Sequence, residues 1–209
     1  MRLLAISMLL VPGVLSVHAL AADVKFKSTW KSMDAGQVSF AGKKVAALVM
    51  TDDDSLRVSG EEALVRELTA RGLQMVASYR IVPKEEVKNP DSAKGWYERS
   101  GVEGVVAVRP ISSDKVTTYT PATWTNPYYG TLWGYYGYGW GSMYIPGSSR
   151  EDTLVVVETL VFSVPKNQLL WAAVSETRNP KQLQKFVTDL VNATAKEMEK
   201  QGLSKAAHR

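Results

Sequence analysis

Three consecutive carboxylates, Asp52-Asp53-Asp54, follow directly on an apolar run and are the residues in this chain best suited to chemistry. Hard oxygen ligands at the C-terminal end of a strand can hold Mg²⁺, and in open α/β sheets ligands gather at that end. These three are therefore the metal candidates, and a Mg²⁺-dependent enzyme is one reading of them. The competing reading is a solvated acidic loop placed favourably ahead of a helix N-terminus. Other reaction classes find little support. The two histidines, His18 and His208, lie at the extreme ends of the chain. There is no cysteine, no G-x-S-x-G elbow and no phosphate-binding glycine pattern. No catalytic residue is assigned, no cofactor is implied, and the expectation is a non-enzymatic protein.

A second group of residues points to binding. Between Val116 and Ser149 no charged residue occurs, while seven of the nine tyrosines and three of the six tryptophans do. Candidate binding residues are Tyr128, Tyr129, Trp133, Tyr135, Tyr136, Tyr138, Trp140 and Tyr144. From Tyr136 onward aromatic residues alternate with Gly137, Gly139 and Gly141. At the two-residue period of a strand this alternation predicts a ribbon with rings on one face and bare backbone on the other. Such rings could stack on a glycan or a partner protein, could enter an outer membrane as part of a barrel, or could fold back and complete the core.

The elements that must position these groups follow from periodicity and turn chemistry. Lys44 to Met50 is a nearly continuous apolar run, as in a strand covered on both faces. Ser59-Gly60-Glu61-Glu62 matches a capping box, which predicts a helix running to Arg71-Gly72. Leu73 to Ser78 completes a βαβ unit. A second helix is expected from Asp91 to Ser100 and a third strand from Gly104 to Val108, with Arg109-Pro110 as its end or an edge continuation. Thr153 to Val164 and Leu169 to Thr177 form a hairpin about Pro165-Lys166-Asn167-Gln168, with Trp171 in the core. A last amphipathic helix is expected to be capped by Asn179, with Pro180 at its first position. The order β-α-β-α-β-insertion-β-β-α predicts one α/β domain, a mixed sheet with helices packed on it.

The ends set the compartment. Met1-Arg2, the apolar stretch Leu3 to Val17 and Ala19-Leu20-Ala21 have the order of a secretory signal peptide. Its cleavage would remove Arg2 and no acidic group, lowering the net charge of +4 by one, and would leave no apolar run long enough to span a membrane as a helix. Positive charges are interspersed with Asp and Glu, which argues against nucleic acid as a partner. The expected organisation is signal peptide 1–21, an N-terminal arm 22–42 with Trp30 packed on the domain, an α/β domain 43–203 carrying the aromatic insertion 119–150, and a tail 204–209.

Several runs together resemble a family of small exported bacterial proteins and lipoproteins of unknown function. They are Ser28-Thr29-Trp30-Lys31, Gly42-Lys43-Lys44-Val45-Ala46-Ala47-Leu48-Val49, Glu62-Ala63-Leu64 with Leu68 and Arg71-Gly72, Gly101-Val102-Glu103-Gly104-Val105-Val106, the Tyr128 to Gly141 segment, Val157-Glu158-Thr159-Leu160-Val161 and Leu170-Trp171-Ala172. The element order is also similar to the TolB N-terminal domain, the periplasmic lipoprotein LpoB and CsgG-like secretion proteins. The resemblance in element order implies an envelope adaptor or assembly component; the signal peptide makes it periplasmic or secreted, and the aromatic segment makes an envelope protein or glycan the expected partner. A subunit of an outer-membrane assembly or secretion complex is the alternative. The chain departs from lipoproteins in having no lipobox cysteine.

Overall fold

The computed structural model describes residues 24–114, 130–138, 153–180 and 182–203. Its strands are β1 (Val24–Lys31), β2 (Lys44–Val49), β3 (Gln74–Ala77), β4 (Val102–Asp114), β5 (Leu154–Ser163) and β6 (Gln168–Arg178). Its helices are α1 (Asp54–Thr69), α2 (Pro90–Arg99), α3 (Leu132–Tyr138) and α4 (Leu183–Lys200). The six strands form one mixed sheet in the order β1-β6-β5-β4-β2-β3. β2 lies parallel to β3 and β4; the β4-β5, β5-β6 and β6-β1 pairs are antiparallel.

Alternation along β2 divides the core between the two faces of the sheet. Ala46, Leu48 and Met50 point to α2 and α3, where they join Tyr97, Tyr135, Leu160 and Phe162. Ala47 and Val49 point the other way, to Leu64 of α1 and Leu190 of α4. Both faces are covered, which is why β2 reads as a nearly continuous apolar run and β5 as one broken only at Glu158-Thr159 before Ser163. The predicted α/β domain with a mixed sheet is therefore observed, and the arm expected at 22–42 contributes β1 as an edge strand paired with β6.

Three local expectations are corrected, and for β4 the continuation, one of its two expected endings, is the one observed. α1 begins a full turn and more before the Ser59 box: Asp53 caps it, its carboxylate accepting from Leu56 N at 3.0 Å. Ser59 and Glu61 fall in the helix interior because the acidic triplet offers an earlier cap. α4 begins at Leu183 rather than after Asn179. Asn179 has a positive φ of 49° and is used differently, its side chain accepting from Thr153 N at 2.6 Å. β4 continues through Arg109-Pro110 to Asp114, paired with β5 and shifted in register between Pro110 and Ser112. β2 has ended opposite Val108, so the missing N–H of Pro110 interrupts no central ladder. Trp30, expected to pack on the domain, stays 37 % exposed, whereas Trp171 is fully buried as expected.

Candidate functional site beneath the aromatic helix

The ribbon expected from Tyr136 is, up to Tyr138, the end of helix α3. Leu132, Tyr135 and Tyr136 are spaced three and four apart, so a helix gathers them on one face where a strand would divide them. All three are fully buried. Thr131 starts the helix: its carbonyl accepts from Tyr135 N at 3.2 Å and its hydroxyl from Gly134 N at 3.1 Å. Gly130 O accepts from Leu169 N of β6 at 3.1 Å, tying the helix entry to the sheet. Gly137 permits a close approach to α2, since a Cβ there would lie 3.1 Å from Pro90 Cγ.

The rings pack in two groups. Tyr136 stands edge-on to Tyr97 of α2 at 6.0 Å, and half-buried Trp133 lies 5.9 Å from each. Tyr135 lies against Phe162 of β5 at 5.6 Å, and the Arg109 guanidinium sits 5.7 Å from its ring centre.

Each buried tyrosine adjoins a buried polar group. Beside Tyr135, Glu158 of β5 is fully buried and Arg109, its cross-strand partner in β4, donates to it from Nε at 3.0 Å. Burial raises the Glu158 pKa, while Arg109, and secondarily the Tyr135 hydroxyl, work against that rise. Beside Tyr97 and Tyr136 lies Glu61 of α1, also fully buried. One Glu61 oxygen accepts from Val49 N at the end of β2 (3.2 Å), the other from Tyr79 N after β3 (2.8 Å). Burial pushes this carboxyl up to about 7, against the pull of the two backbone donors and of Arg57. The hydroxyls of Tyr97 and Ser78 share a buried hydrogen bond, and burial raises the pKa of Tyr97 and of Tyr136.

Asp52, Asp53 and Asp54 are drawn into three separate tasks. Asp52 pairs with Lys88, Asp53 caps α1, and Asp54 meets Lys84 Nζ at 2.5 Å and Arg57 Nη2 at 3.4 Å. The hydrogen bond from Lys84 is the main cause of a lowered Asp54 pKa. Among the described residues no three His, Cys, Asp or Glu side chains are grouped to hold a metal ion. Nor is any described helix long and apolar enough to cross a membrane.

Of the eight candidate binding residues, the structure brings Trp133, Tyr135 and Tyr136 together against the sheet. Tyr135 and Tyr136 present no surface in this arrangement, being part of the core. Tyr138 ends α3. Its side chain, and Tyr128, Tyr129, Trp140 and Tyr144, lie outside the described residues, as do the segments 1–21 and 204–209 expected to be a signal peptide and a tail. Sequence reasoning gave Glu61, Glu158, Arg109 and Tyr97 no part in a site. Glu158 left a signal: it is one carboxylate in an otherwise uncharged strand that is buried on both faces, where only a paired charge is tolerated. Glu61 left none, since glutamate is ordinary on a helix.

No protein-family model and no curated protein sequence matches this chain. Among solved structures, it is similar to the PelC dodecamer from Paraburkholderia phytofirmans, at 13 % identity over 88 % of this chain and 99 % of that one, with a TM-score of 0.45. It is similar to lipoprotein GNA1162 from Neisseria meningitidis, at 10 % identity over 76 % of this chain and 99 % of that one, with a TM-score of 0.41. A third is the hypothetical protein CT253 from Chlamydia trachomatis, at 13 % identity over 65 % and 72 %, with a TM-score of 0.36. At these scores the likenesses carry no statement about function, and they lend no support to the resemblance to TolB, LpoB or CsgG-like proteins.

Proposed function

We propose that this chain is an exported, non-enzymatic envelope module that binds a protein or glycan partner through the aromatic segment on either side of α3. The observation that carries this reading is the anchoring of α3. Leu132, Tyr135 and Tyr136 are locked in the core, and Gly130 is bonded to β6, so the uncharged segment is held against the sheet at its middle. Residues flanking a rigidly held point can present rings at low entropic cost, as aromatic binding loops do. The buried ionisable side chains favour binding over catalysis. Glu61 is engaged by two backbone donors and Glu158 by a guanidinium, so both brace the fold.

The test replaces Tyr128, Tyr129, Trp140 and Tyr144 with serine and leaves α3 intact. Affinity capture from envelope fractions, quantified against wild type at equal thermal stability, should lose specific partners. Identical partner lists would sink the reading.

A further inference from the structure

A cavity of about 250 Å³ opens on the opposite face of the sheet, between α1 and α4 and over β4 and β5. Leu56, Gly60 and Leu64 border it on α1; Leu183, Val187 and Leu190 border it on α4. Each row advances along one helix face, by eight residue steps on α1 and seven on α4, or about 12 and 10.5 Å at the rise of a helix. The space is therefore a trough, longer than a single ring requires. Among the described residues no charged side chain lines it, and Ser113 and Gln182 are the lining side chains able to hydrogen-bond. Such a lining gives water too few partners to be held well, and dry apolar cavities of about 150 Å³ already accept small hydrocarbons. Among the described residues these walls offer anions, sugars and cations no countercharge or donor array. An uncharged, narrow and flexible hydrocarbon matches both the shape and the absence of charge.

We propose that this trough binds one unbranched aliphatic chain of medium length, the acyl chain of a fatty acid or lipid. The trough lies on the face of the sheet opposite α3, and none of the function proposed above is assumed in this inference.

The experiment titrates the mature protein with saturated fatty acids of increasing length, below their micellar concentrations, and measures binding by calorimetry. Saturable binding of one chain per protein is expected. Affinity should rise about fourfold per methylene, the equivalent of about 0.8 kcal/mol for each buried CH₂, and stop rising once the trough is full. Ser113→Phe adds bulk from a half-buried lining position and should abolish binding; Val187→Phe provides a second blocked variant. A lysophospholipid bearing the same chain separates the two sources: equal affinity assigns a lipid tail, weaker affinity a free acid. Absence of saturable binding at every length would overturn the proposal. So would affinity that climbs without a break and is unchanged in folded blocked variants, because that is adsorption to the surface.

Discussion

Glu61 makes the stability of this protein depend on pH with an unusual sign, and the effect can be isolated. Its carboxyl sits at about 7 in the folded chain against an ordinary value of 4.5, chiefly because it is buried. Between those two values the folded state holds more proton than the unfolded state, so stability falls as pH rises. The favourable contribution is complete below about 4.5, is small at about 7, where the folded carboxyl is half ionised, and is gone above that, where both states are ionised. A difference of about 2.5 pH units corresponds to about 3 kcal/mol at 1.36 kcal/mol per unit. Other carboxylates oppose this trend, Asp54 among them, since its lowered pKa makes it a stabilising group above its unfolded pKa that is lost on acidification. The perturbation is therefore Glu61→Gln, which keeps the shape and removes the titration. Its amide nitrogen would face one of the two backbone donors, from Val49 or Tyr79, at a cost that does not vary with pH. Urea unfolding of both proteins in half-unit steps from pH 4.5 to 7.5 gives the stability of wild type minus that of the variant. That difference should decline by about 3 kcal/mol across the window. A flat difference would refute the reasoning, because it would mean that Glu61 ionises in the fold as it does in the unfolded chain.

Two further outcomes follow from the packing around α3. Arg109→Met should destabilise by about 3–5 kcal/mol in urea unfolding, because it leaves Glu158 buried without its guanidinium, and the added change Glu158→Leu should restore most of that loss. Tyr136→Ala should cost about 3–5 kcal/mol for the deleted buried ring, clearly more than Trp133→Ala at its half-exposed neighbour; equal costs would contradict the burial of Tyr136.

The fold class was legible in the sequence because it rests on local patterns. The apolar run at Lys44–Val49 and the β-branched run at Leu154–Ser163 report strands covered on both faces, and the α4 periodicity reports one buried stripe. Turn chemistry placed the β5-β6 hairpin, where Asn167 takes a positive φ of 45°. Boundaries were less legible where two signals competed. Asp53 and Ser59 are both good caps, and only the packing of Gly60 against Val49, with Glu61 held inside, selects the earlier start.

The aromatic segment divides along the same line. Its composition alone announced a special stretch, free of charge and dense in rings. Whether Tyr135 and Tyr136 face outward or inward was undetermined, since alternation suits a ribbon and spacings of three and four suit a helix. Tertiary structure decided it: Tyr97 and Phe162, distant in sequence, offer an apolar bed that only a helix can fill with both rings. The pairing of Arg109 with Glu158, 49 residues apart, likewise exists only once β4 and β5 are in register. Local sequence specifies periodicity, and periodicity specifies elements. Which buried charge meets which partner depends on register and on the layers above the sheet, and those are properties of the assembled fold.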